Sequence, residues 1–340
     1  MSHPEIDNGT SFGFEPVFIA DEDLRPIVVT VVKATYQFDL QGALWLAEEQ
    51  IPVNLAGEPW SDTPISSYKY EPEIAATKLA TDVVLIGHAE PPAAGATQVD
   101  VGIRVGPVQK VTRVFGDRFW VWMSQGAGRS RTAPLERIAL TWENAFGGQD
   151  EVASTPDRPV FEPRNPVGTG FGMPLAKDGD SLKLPNIEDP NQLIAGYGDV
   201  VTPCGFGFTS PDWQPRASFA GTFDEEWNAT RKPLLPLDFD RRFFNAAAPG
   251  LTAPGYLQGD EEVVVLNTTS VARLGFRLPG VPPPHCRVVL RGQRDTVIQT
   301  NLDTVIVNTD EMQLLLLWRA YTLLPTGPHD VSAISIGGGD

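Results

Sequence analysis

Glu143 stands beside Trp142, and Asp238 lies two residues from Asp240. Two carboxyl groups facing each other, one protonated and one ionised, are what glycoside hydrolysis requires, and tryptophan rings stack on sugars. Against that reading, an Asp in a loop ordinarily accepts local backbone N–H groups, and a Glu near glycines commonly anchors a neighbouring loop. Cys204, in the run Pro203-Cys204-Gly205-Phe206-Gly207, would become a nucleophile only if His88 or His285 reached it as a base. The alternative is a small buried core thiol. The run Gly168-Thr169-Gly170-Phe171-Gly172 has the glycines of a phosphate cradle, but Pro174 follows and no strand and helix frame it. Glycine there serves positive φ and close backbone approach.

No Gly-x-Ser-x-Gly elbow, His-Glu-x-x-His pair or P-loop lysine occurs. The histidines, at 3, 88, 285 and 329, lie too far apart in sequence to suggest a local metal site. The residues therefore predict no cofactor, no metal and no turnover.

The elements that must position these groups read mostly as strands. Thr97, Val99, Val101, Ile103 and Val105 alternate with Gln98, Asp100, Gly102 and Arg104, which predicts a half-buried strand. Residues 27–38 and 44–46 read as one hairpin, Val111–Phe115 with Phe119–Trp122 as a second, and Val305–Val307 with Leu314–Trp318 as a third. Further strands are expected at 82–89, 135–142, 263–268 and 287–291. Helix is scarce: the best candidate starts at Thr222, with Glu225 three residues on, and must stop before Pro233. Residues 145–215 hold ten Gly and ten Pro in 71 positions, so long strands cannot persist there. Their aromatic and charged content argues for an ordered loop region and against a solvated tether.

Composition sets the outer bounds. With 41% hydrophobic and 20% charged residues among 340, the chain can bury a sizeable core. Its net charge of −17 repels phosphate backbones and anionic lipid, so neither nucleic acid nor a membrane is expected as partner. Residues 102–137 are locally basic, a solvated sheet face or a patch for an acidic partner protein. Two cysteines suit a reducing compartment. The acidic start carries no secretory pattern, and the longest apolar run, Leu314–Trp318, is far short of a bilayer span. A cytoplasmic location is the expectation.

An ordered set of words remains. Trp142-Glu143-Asn144-Ala145-Phe146-Gly147-Gly148 is followed by Arg164-Asn165-Pro166-Val167-Gly168-Thr169-Gly170-Phe171, then by Pro185-Asn186-Ile187-Glu188. Gly205-Phe206-Gly207, Trp213, Arg216, Asp224, Trp227, Asp238 and Asp240 come next, and Phe243-Phe244-Asn245-Ala246-Ala247 closes the set. In words and order the chain resembles the bacterial family filed as domain of unknown function twenty-one sixty-nine. That resemblance implies an adaptor or chaperone of type VI secretion, which loads an effector bearing a PAAR-like tip domain onto the VgrG spike. It also implies that these words shape a partner-binding face, with aromatics, Arg and glycine-rich backbone seating the client.

The expected architecture is mainly β, with antiparallel sandwich-like sheets and little helix. An N-terminal lobe (1–144), an ordered Gly/Pro-rich loop region (145–215) and a C-terminal lobe (216–340) packed on the first are expected, with one single domain as the alternative. The expected function is that of an effector adaptor; a carbohydrate-active enzyme using Glu143 with Asp238 or Asp240 is the alternative.

Overall fold

The computed structural model describes residues 4–63, 65–292 and 295–338. The chain is mainly β, and among the described residues no sheet closes into a barrel. The largest sheet runs Gly13–Ala20, Pro26–Phe38, Gln313–Leu323, Asn301–Asn308, Asp82–Ile86, with Leu44–Leu46 added to Pro26–Phe38. Its pairs are antiparallel except the last, Asn301–Asn308 with Asp82–Ile86. Both faces of this sheet are covered. Val28, Val32, Ala34, Tyr36 and Phe38 enter the main core, while Ile27, Val29 and Val31 enter a second one. A strand buried on both sides favours apolar, β-branched side chains, which is why residues 27–32 read as a β-branched run, with Thr30 satisfied by Ala320 O. The first and third expected hairpins form, with Tyr36 opposite Leu46 and Val305 opposite Leu316.

A second sheet runs Ile187–Glu188, Val108–Phe115, Gln98–Val105, Glu262–Leu266, Arg273–Arg277. Gln98–Val105 buries Val99, Val101, Ile103 and Val105 and leaves Asp100 and Arg104 half-buried, as its period of two requires. The second expected hairpin is corrected. Val108–Phe115 folds back on Gln98–Val105 through Gly106-Pro107, where Gly106 adopts φ 52°, a value that suits glycine. Phe119–Met123 instead joins a separate sheet between Gly126–Arg129 and Ser181–Lys183. A third large sheet runs Glu5–Asn8, Val331–Gly337, His285–Leu290, Thr296–Gln299.

Each of the three large sheets mixes strands from 1–144 with strands from 216–340. The middle of the chain contributes only pieces of two or three residues, such as Phe146–Gly147 paired with Thr169–Gly170. It is nonetheless ordered around a small core that it shares with Trp120 and that also holds Phe146, Leu175, Leu184, Ile194 and Val201.

The α-helix is Glu225–Thr230. Its cap is Asp224, whose carboxylate accepts from Trp227 N at 2.8 Å, and not Thr222, whose hydroxyl donates to Asp238 at 2.7 Å. Among the described residues, no helix is long and apolar enough to cross a membrane.

Candidate functional site

The words between 142 and 213 face inward. Trp142 is 3% exposed, donates from Nε1 to Phe208 O at 2.8 Å and meets Trp213 edge-on. A Cβ on Gly205 would sit 3.1 Å from the Trp142 ring, so glycine there lets the chain lie flat on the indole, with Phe206 buried beside it and Gly207 just beyond. Buried Asn165 donates from Nδ2 to both Trp142 O and Phe146 O, and a side chain on Gly168 would collide with it. Asn144 ties Ala139 O, and Asn186 ties Phe115 O and Asp117. Glu188 pairs with Arg118 inside the protein and accepts from Ile194 N; Arg118 also reaches Pro185 O. Burial raises the Glu188 carboxyl above its usual range even beside that cation. Arg164 holds Glu162 and Val201 O. Phe171 meets Phe146 edge-on, and Pro166 is half-buried. Trp142, Phe146, Phe206 and Trp213 are buried and Phe171 is half-buried, so these aromatics pack the loop region against the rest of the chain.

The carboxylates singled out for chemistry are each engaged by local partners. Glu143 accepts from Ser67 N and Ser67 Oγ at 2.8 and 2.9 Å. Asp238 accepts from Thr222 N and Oγ1, which hold its carboxyl below the usual range. Asp240 caps the turn Arg241–Phe244 and pairs with Arg242. Burial pushes the Cys204 thiol up, while His88 is engaged with Asp310. Among the described residues no group of three or more His, Cys, Asp or Glu could hold a metal ion. The basic stretch is largely compensated: Arg104 meets Glu262, Arg113 meets Asp100, and Arg137 meets Glu90 and Asp310.

Arg216 and Asn245 are different, because an ion chain that sequence reading missed joins them. The guanidinium of Arg216 donates to Phe243 O (2.8 Å), Thr209 O (2.7 Å) and Glu71 (3.1 Å). Glu71 accepts from Lys78 at 3.0 Å, and Lys78 also donates to Asp82 at 2.9 Å and Thr304 at 3.1 Å. Asp82 in turn accepts from Asn245 Nδ2 and Ala246 N. Burial opposes the charge on Lys78, but Asp82 and Glu71 outweigh it and hold the ammonium above its ordinary pKa.

Two clefts share Arg216. One, of about 390 Å³, is walled by Leu79, Phe219, Pro215, Pro249 and Pro254. The other, of about 300 Å³, is walled by Tyr68, Ile74, Pro72, Phe243 and Phe244. Leu79 and Ile74 are 47% and 42% exposed. The charged groups along the floor already have partners, so the clefts offer fixed apolar seats over a rigid, neutralised base. Thr209 Oγ1, buried in the wall of the larger cleft, has no hydrogen-bond partner among the described residues.

Comparison with curated proteins and with solved structures returns no match. A family profile described as uncharacterized protein conserved in bacteria matches residues 23–319, which include both clefts, the ion chain and every word of the ordered set. The chain belongs to that bacterial family, DUF2169.

Proposed function

We propose that this protein is an adaptor and chaperone that binds a type VI secretion effector with a PAAR-like tip domain and helps load it onto the VgrG spike. The observation that carries the reading is the pair of apolar clefts flanking Arg216. A site built for holding needs preformed apolar seats, and rigidity lowers the ordering cost of association. Here Arg216 and Glu71 line the clefts with their charges already paired, Lys78 ties Glu71 to Asp82 behind them, and Leu79 and Ile74 stay exposed to a partner. Buried anchors in such seats are worth about 2 kcal/mol or more each. The engagement of Glu143, Asp238 and Asp240 with separate local partners supports holding over turnover. The class of client comes from the family resemblance.

Co-expression with a type VI effector that carries a PAAR-like domain tests the reading. The effector is expected to co-purify with this protein, and capture is expected to fall at least tenfold for Leu79→Asp and Phe219→Asp with the melting temperature unchanged. An effector equally soluble and equally loaded on VgrG without this protein overturns the proposal.

A further inference from the structure

Residues 222–238 form a knuckle tied to the turn between Gly13–Ala20 and Pro26–Phe38 of the largest sheet. The helix Glu225–Thr230 buries none of its residues, and Phe223 and Leu237 are 54% and 86% exposed. Trp227 lies between them, meeting Phe223 edge-on at 4.8 Å and held by a hydrogen bond from Nε1 to Leu234 O. A cleft of about 220 Å³ runs between the helix and Pro236–Asp238, with Trp227 and Leu237 in its walls and Asp224, Glu226 and Asp238 beside them. The segment carries four acids, Asp224, Glu225, Glu226 and Asp238, and two bases, Arg231 and Lys232. Arg231 is already taken by Asp23 and Leu235 O. The side chains of Glu225 and Glu226 make no ion pair or hydrogen bond among the described residues. Arg231 on Asp23 and Leu235 N on Glu22 O hold the knuckle in place, and Arg241, just beyond it, pairs with Glu22.

We propose that this knuckle is a second docking surface, for a segment of the partner that carries Lys or Arg beside aliphatic or aromatic side chains. The proposal deepens the adaptor reading and rests on it, because it states the chemistry of the client. Exposed Phe223 and Leu237 beside half-buried Trp227 supply anchor contacts, and the unpaired carboxylates of Glu225 and Glu226 select a cationic neighbour and speed its approach. A protein of net charge −17 adds a long-range field of the same sign.

The test is fluorescence anisotropy of the full chain with a labelled twelve-residue Lys/Leu amphipathic peptide and its Glu/Leu counterpart. The Lys/Leu peptide is expected to bind, the Glu/Leu peptide not, and binding is expected to weaken in 0.5 M salt. Phe223→Ser with Leu237→Ser, which leaves the net charge unchanged, is expected to weaken it at least tenfold, as is Glu225→Lys with Glu226→Lys. Glu48→Lys with Glu49→Lys makes the same charge change on exposed residues elsewhere and is expected to stay within twofold. Equal losses in the two charge variants, no effect of the Phe223 and Leu237 changes, or no binding would overturn the proposal. So would a dimer of the free protein that these changes dissociate, since a second copy would then be the occupant. If the wild-type chain captures the effector and the Phe223 and Leu237 variant captures it equally well, the knuckle fails and the adaptor reading stands. If the wild-type chain captures nothing, the adaptor reading fails with it.

Discussion

A charged side chain in the middle of an apolar strand has to find its counter-ion inside the protein, and this chain does so repeatedly. Lys33 interrupts the run Ile27–Phe38 and meets Glu73 at 2.7 Å; Arg319 follows Leu314–Trp318 and meets Asp303 at 2.9 Å. The presence of such residues was visible in the sequence, but their partners, in other strands and loops, were not. Burial raises the Asp303 carboxyl, opposed by Arg319 and Lys78, so this network is held against a desolvation cost. Lys78 gives the cleanest test because it touches Glu71 and Asp82 at once. Lys78→Met is expected to leave buried Asp82 without a cation and Glu71 with Arg216 alone, and to lower stability by about 3 kcal/mol, read as a shift of the urea midpoint. The pH dependence has a definite sign. The folded-state pKa of Lys78 is raised, so its contribution is complete below the ordinary lysine pKa and is lost as pH rises through the elevated value. The wild type is therefore expected to lose stability in strong alkali with a component that Lys78→Met lacks.

At the scale of elements, period and turn chemistry revealed the strands that are half-buried or doubly buried, because burial dictates side-chain type directly. They failed where two turns competed: Gly106-Pro107 and Gly116-Asp117 flank the same strand, and only tertiary pairing decides which one closes a hairpin. The Gly/Pro-rich middle was legible as ordered, while the inward direction of Trp142, Phe146 and Asn165 was not, since a buried aromatic and an exposed anchor look alike in a loop. The clefts were invisible apart from Arg216 and the Phe243–Asn245 word, because their walls come from residues as distant as Leu79 and Pro254. The clamp between Phe146–Gly147 and Thr169–Gly170 should answer to a single methyl group. Gly148 has φ 104°, and a Cβ there would sit 2.5 Å from Gly168 O. Gly148→Ala is expected to cost about 1–3 kcal/mol. Amide exchange should accelerate at Gly148, Thr169 and Phe171, which bond Asn165 O, Ala145 O and Gly147 O, and should stay slow in Pro26–Phe38. Uniform acceleration throughout the chain would mean that the loop region is not a separate unit of stability.

For the whole molecule, what matters is that hydrogen-bonded neighbours are drawn from opposite ends of the sequence. Pro26–Phe38 pairs along its length with Gln313–Leu323, Gln98–Val105 with Glu262–Leu266, and Glu5–Asn8 with Val331–Gly337. Cutting the chain between 144 and 145 would leave Pro26–Phe38 with an open edge where eleven partners had been, and would split the main core, to which Val28, Val101, Val305 and Leu314 all belong. An unpaired apolar strand of that length is an aggregation site, and loop-closure entropy is recovered only when the distant strand docks. Fragments 1–144 and 145–340 made separately are thus expected to be insoluble or to unfold without a cooperative transition in near-ultraviolet circular dichroism. Co-expressed, they are expected to purify as a complex that regains one. A cooperative transition in either fragment alone would show that a half of the chain holds a self-sufficient core, and the shared sheets would then dock two bodies that fold independently.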